Sequence, residues 1–161
     1  MEKLKKFLYS AAAVGLAWWI NGWFTSYGIF NWYAQFEKPT ITPPDLAFPI
    51  IWSILYVLMI AAFYMILLKA DRSSGRRVNQ LFIGQLVLQI IWTYLFFAMG
   101  YIGLAFGVII LLDLVVFKMI LAFKGLDARA AYLMYPYFWW LIYASFLNFS
   151  FIYIAGMTVV F

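Results

Sequence analysis

Residues 45–68 read DLAFPIIWSILYVLMIAAFYMILL. The single charge, Asp45, stands at the first position, and no other follows before Lys69. A hydrocarbon core about 30 Å thick is crossed by roughly 20 apolar helical residues. This stretch therefore reads as a membrane helix. Four more runs share its character, at about 7–27, 78–99, 101–123 and 130–156. The predicted fold is an all-α integral membrane protein, a single domain over 1–161 built as a bundle of five transmembrane helices.

Composition agrees. Hydrophobic residues are 68% of the chain and charged residues 11%, against about 45–50% and about 25% in ordinary soluble domains. A soluble protein of this size has too much surface to cover it with so few polar groups. Without Cys or His, the chain has no disulfide, no thiolate chemistry, no ordinary zinc site and no imidazole acid–base catalysis. Its acids are scattered, so no hydrolytic constellation forms. The net charge of +5 comes from short basic clusters between apolar runs, which orient a chain in a membrane rather than bind nucleic acid. Met1–Lys6 followed by an apolar run has the outline of a signal peptide. Trp18, Trp19 and Trp23 carry the run on without a small-residue cleavage site in a polar context, so it reads as a retained first membrane helix.

The connections set the orientation. Residues 28–44 form a long aromatic and proline-rich loop, 69–77 an aqueous charged loop, Gly100 a tight link, and 124–129 a short polar one. With five spans, Lys3, Lys5, Lys6, Lys69, Arg72, Arg76, Arg77, Lys124 and Arg129 share one side, Lys38 lies on the other, and Lys118 falls within the fourth span. The positive-inside rule then puts the N-terminus inside and the C-terminus outside. The basic bias and short C-terminus lean toward a bacterial plasma membrane, with a mitochondrial outer membrane as the alternative.

Polar groups inside a bilayer need a partner or a cavity. Gln85, Gln89, Trp92 and Phe96 share one face of the third helix; Trp52, Tyr56, Met59 and Phe63 share one face of the second; Tyr137, Trp140, Ala144, Asn148 and Phe151 share one face of the fifth. Converging, these stripes enclose an aromatic pocket with a few amides, suited to a flat apolar ligand with polar edges. Equally spaced aromatic stripes also arise from plain helix packing, the commoner meaning of such a pattern. Asp113, in the fourth helix, reads as a structural acid bonded to a neighbouring helix, with a proton or ion site as the alternative. Lys118 lies about 140° round the helix from it, too far for a direct pair, and reaches toward the inner face. Gly103 and Gly107 form a GxxxG pair that serves either a dimer face or packing within one bundle. Pro49 and Pro136 fall early in the second and fifth helices, near Trp52 and Trp140, where a kink opens space.

Trp32-Tyr33-Ala34, Lys38-Pro39 and Pro43-Pro44 make a loop of the form W-Y-x-x-x-x-K-P-x-x-x-P-P. Trp52 to Tyr56 follows as W-x-x-L-Y, then Gly84-Gln85-Leu86 with Trp92 and Phe96-Phe97, then Tyr135-Pro136-Tyr137 with Trp140 and Leu147-Asn148. Together, in this order and spacing, they resemble the tryptophan-rich sensory protein / translocator protein family, the peripheral benzodiazepine receptor homologues. Ile41 stands where the family loop usually has Trp, and Gln89 where many members have Asn. No Lys or Arg follows 147–153, where animal members end a cholesterol motif. The resemblance implies five membrane helices, frequent homodimers, and binding of porphyrins such as protoporphyrin IX and of benzodiazepine-type ligands between the helices. It also implies light- and oxygen-dependent porphyrin breakdown in bacterial members.

Carried over, the resemblance puts Tyr33, Trp52, Tyr56, Gln89, Trp92, Trp140, Ala144 and Asn148 near the ligand, with Trp139 an alternative to Trp140 for the inward-facing indole. The leading expectation is a receptor or sensor with porphyrin as ligand and no obligatory cofactor or metal. Missing His and Cys disfavour tight ligation of haem iron. The alternatives are a photo-oxidative porphyrin-degrading enzyme using Trp52 and Trp140, and a tetrapyrrole or sterol transporter using Asp113.

Overall fold

The computed structural model of the protein describes residues 1–31, 33–35, 38–44 and 47–156. Trp32 and Asp45 lie outside them. The described residues form five long helices and no strand: α1 (Glu2–Asn31), α2 (Ala47–Lys69), α3 (Arg72–Thr93), α4 (Ile102–Leu126) and α5 (Ala128–Gly156). A 3-10 turn at Tyr33–Gln35 follows α1, and α3 runs on into a π-helical turn at Tyr94–Ala98. Four of the helical stretches are long and apolar enough to cross a membrane: Ala47–Lys69, Arg72–Ala98, Ile102–Leu126 and Ala128–Ile154. The 30-residue α1 is not among them. Ser10, Asn21, Thr25 and Ser26 dilute its apolar character. The first two are buried: Ser10 Oγ donates to the Ile60 carbonyl at 2.9 Å.

Several expected boundaries move, the first helix running over Glu2–Asn31 rather than 7–27. The third helix starts at Arg72, not at 78, because Asp71 caps it. Asp71 Oδ1 accepts from the backbone N–H of Ser73 (3.1 Å) and Ser74 (2.8 Å), and Ser74 Oγ accepts from the Asp71 N–H at 3.1 Å. These bonds satisfy helix-end donors, so the helix begins in water ahead of its apolar run. The bonds to Oδ1 also hold the Asp71 carboxyl below the usual carboxylate range, the hydrogen bond that the Ser74 hydroxyl donates to it contributing most. The connection at 124–129 is helical apart from Asp127. Its carboxylate accepts from the Arg129 N–H at 3.0 Å and pairs with Lys69 Nζ at 2.8 Å, tying the end of α2 to the α4–α5 corner. Lys69 above all, then Arg129, lowers the Asp127 pKa to about 2. Gly100 closes the α3–α4 link at φ +68°, a left-handed conformation that glycine adopts without steric cost.

Packing closes the helices into a ring in the order α1, α2, α5, α4, α3, with α1 returning against α3 and its π turn. Toward the basic end the ring is filled. Phe63 stacks on Phe82 at 3.8 Å between centroids, with Phe123 beyond, around the buried Met59, Ile66 and Met134. The outer surface is apolar: Trp19, Leu104, Leu114, Trp139 and Phe146 are exposed, as a lipid solvent permits and water would penalise. Gly103 and Gly107 also face outward, with no atom within 4 Å of where a Cβ would stand. Among the described residues they therefore do not serve close packing within the bundle.

Candidate functional site

At the end away from the basic clusters the ring is not filled. A cavity of about 340 Å³ lies between α1, α2, α5 and the end of α3. Three features of local sequence leave it open. Asn21, Gly22, Thr25 and Ser26 give α1 a face of small and polar side chains there. Gly28 then brings α1 into backbone contact with the π turn: a Cβ at 28 would stand 2.4 Å from the Phe97 carbonyl oxygen. The π turn, whose Met99 N–H reaches back to the Tyr94 carbonyl at 3.0 Å, fits an extra residue into one turn. Phe96 and Phe97 are consequently both buried and both line the cavity. Such π turns are frequent at functional sites.

The walls are aromatic. Trp52 stacks on Tyr56 (5.5 Å, 30°) and meets Trp140 edge-on (6.4 Å, 88°), while Phe48 meets Trp140 edge-on at 6.0 Å. Tyr33 is buried from the 3-10 turn against Phe97 (5.4 Å) and Phe151 (5.6 Å). Lys38 Nζ sits 5.1 Å from the Tyr33 ring centroid, a cation–π distance. Tyr143 donates its hydroxyl hydrogen to the Ile41 carbonyl, joining the segment after α1 to α5.

Polar groups mark the edges. Trp92 Nε1 donates to Asn148 Oδ1 at 3.1 Å, and Asn148 Nδ2 donates to the Ile102 carbonyl at 2.9 Å, so one amide ties α3, α5 and the start of α4 together. On the opposite wall, Asn21 Nδ2 donates to the Tyr56 hydroxyl at 3.0 Å and to Gln89 Oε1 at 3.3 Å. The Tyr56 oxygen is an acceptor in that bond and keeps its own hydrogen to give.

Of the residues expected near a ligand, Tyr33, Trp52, Tyr56, Trp92, Trp140, Ala144 and Asn148 line the cavity. Gln89 does not; it is fully buried behind Asn21. Trp139 does not either: it is 65% exposed on the outer face, and Trp140 is the indole that turns inward. The three stripes do converge, but they divide. Their halves nearer the basic end, Met59, Phe63, Gln85 and Tyr137, pack the core, with the Tyr137 hydroxyl donating to Gln85 Oε1 at 2.8 Å. Sequence reasoning missed the contribution of α1. The signal was Asn21, an amide among apolar neighbours. Asp113 lies away from the cavity; its Oδ2 accepts from Ser145 Oγ at 2.8 Å, the structural bond to a neighbouring helix.

Fold and site together define an all-helical membrane protein with an aromatic internal cavity, to which Tyr33 of the 3-10 turn after the first helix contributes. Residues 9–154 match the TspO/MBR family, and the chain belongs to that family. It is 33% identical over 148 residues to the tryptophan-rich protein TspO of Archaeoglobus fulgidus, covering 92% of this chain and 94% of that one. It is 35% identical over 120 residues to the tryptophan-rich sensory protein of Cereibacter sphaeroides (74% of each chain), and 34% over 122 residues to the translocator protein of Ovis aries (74% and 72%).

Proposed function

We propose that the protein is a membrane receptor or sensor whose cavity binds porphyrins, protoporphyrin IX in particular, and benzodiazepine-type ligands. The observation that carries this reading is the pairing of flat aromatic walls with polar edges: Trp52, Tyr56 and Trp140 on one side, Asn21 and Asn148 at the rims. A planar macrocycle buries its faces on the rings. Its carboxylates and ring nitrogens find the Tyr56 hydroxyl and the amides. All five helices span the bilayer as one domain, α1 with its polar face turned inward, the N-terminus inside and the C-terminus outside in a bacterial plasma membrane. The outward Gly103/Gly107 face supports a homodimer contact.

The test is a protoporphyrin titration of detergent-solubilised protein in the dark, followed by tryptophan quenching and porphyrin absorbance. Trp52→Phe and Trp140→Phe each weaken saturable binding several-fold, whereas Trp139→Phe leaves it unchanged. Linear quenching identical in all variants would defeat the reading. The near-perpendicular contact of Trp52 with Trp140 at the cavity wall favours a second reading, light-dependent porphyrin breakdown with an indole as electron donor. Loss of porphyrin bands under illumination that is unchanged by the Trp52/Trp140 double substitution would remove it.

A further inference from the structure

A second concavity lies on the outer surface between α3 and α4, on the flank nearer the basic end. Its volume is about 400 Å³, and it is lined by Arg77, Gln80, Leu81, Gly84 and Leu88 of α3 and by Val115 and Lys118 of α4. The α3 residues fall at i, i+3, i+4, i+7 and i+11, one continuous face of a helix. Polarity is graded along it. Arg77 stands about one and a half turns from the start of α3, and Leu88 lies roughly 16 Å deeper at 1.5 Å per residue. Lys118 is about two turns from the end of the antiparallel α4, level with Gln80 and Leu81. Two cations and an amide thus sit at the end of the groove nearer the basic clusters, above a trough walled by Leu81, Leu88 and Val115. Gly84 leaves its floor open: no atom lies within 4 Å of where its Cβ would be.

Among the described residues the two cations have no protein counter-charge. Among the described residues, Glu2 pairs with Lys6, Asp127 with Lys69 and Arg129, Asp113 bonds Ser145, and Asp71 caps its own helix. No ion pair reaches Arg77 or Lys118. An uncompensated lysine two turns into a lipid-facing helix is costly, and an anionic group in the same trough removes the cost. Basic hollows between helices on the inner side are where acidic headgroups bind.

We infer that this α3–α4 groove seats one anionic phospholipid of the leaflet on the basic side. Its phosphate bonds Arg77 and Lys118, its headgroup meets Gln80, and one acyl chain lies over Gly84 between Leu81, Leu88 and Val115. The experiment is native mass spectrometry of the full chain in detergent, titrated with phosphatidylglycerol or with phosphatidylcholine of the same acyl chains. The parent retains one phosphatidylglycerol in preference to phosphatidylcholine. Arg77→Gln and Lys118→Gln each weaken it about fivefold, from the worth of one basic residue near an acidic headgroup. Arg76→Gln, which removes the same charge outside the groove, leaves it unchanged. Gly84→Leu abolishes retention while both cations remain, showing that an acyl chain, and not free phosphate, occupies the trough. Equal loss in Arg76→Gln would reduce the effect to diffuse attraction and overturn the site. So would equal retention of the two lipids, or a parent dimer that Gly84→Leu dissociates without changing lipid content, which would make the groove an interface between copies.

Discussion

Gly28 sets the approach of α1 to the π turn by an absence. Any Cβ there would meet the carbonyl and Cβ of Phe97 at 2.4–2.7 Å, so Gly28→Ala has to push α1 off the π turn. Overpacking of this kind costs about 1–3 kcal/mol. Gly28→Ala should therefore lower the melting temperature in detergent and weaken ligand retention, while Gly22→Ala, with open space around its Cβ, should not lower the melting temperature, alanine being the better helix former. A second residue-scale expectation concerns Trp92 and Asn148. Interhelical hydrogen bonds in membranes couple by about 0.6 kcal/mol on average and up to about 1.7. A double-mutant cycle of Trp92→Phe and Asn148→Leu, read by thermal unfolding, should show a coupling in that range. Simple additivity would mean the 3.1 Å contact contributes nothing to stability.

Among the elements, the corner between α4 and α5 carries a pH dependence. Asp127 is held at about 2 by Lys69 and Arg129, below the ordinary value of about 3.9. A depressed carboxyl stabilises the folded state above its unfolded value, and the contribution fades as pH falls from about 4 to about 2. The melting-temperature gap between the parent and Asp127→Asn should be full at pH 6 and shrink by pH 3. A gap constant over that range would mean that the charge of Asp127 does not hold α2 to the corner. Helix starts at this scale were only partly legible. The Asp71 cap lies in polar sequence ahead of the apolar run, where counting hydrophobic residues sees a loop. The π turn was not legible at all, because residues 94–98 have no composition that separates a π turn from the α turn before it.

For the whole molecule, ring order determines which segments share a cavity. α1 meets α2 on one side and the end of α3 on the other, which is how a helix whose only visible site signal was Asn21 supplies a wall. α4 closes the ring behind α3 and α5 and contributes nothing to the cavity lining. The orientation can be tested on a chain that has no cysteine of its own. A cysteine at the exposed Ser73 and another at the exposed Thr40 should be labelled by an impermeant thiol reagent from opposite faces of sealed vesicles. Labelling of both from one face would break the five-span topology.

The membrane class, the five helices and the aromatic stripes were all legible in the chain, because hydropathy and a 3.6-residue period are local properties. Which residue of a stripe meets the cavity was not. Trp139 and Trp140 are neighbours about 100° apart on one helix, and nothing in their composition says which turns inward. In water, hydrophobicity marks the inside of a protein; in lipid the solvent is as apolar as the core, so that mark is lost. Only the ring of helix contacts, the close approach at Gly28 and the widened turn after Thr93 decided where the bundle packs solid and where it stays open.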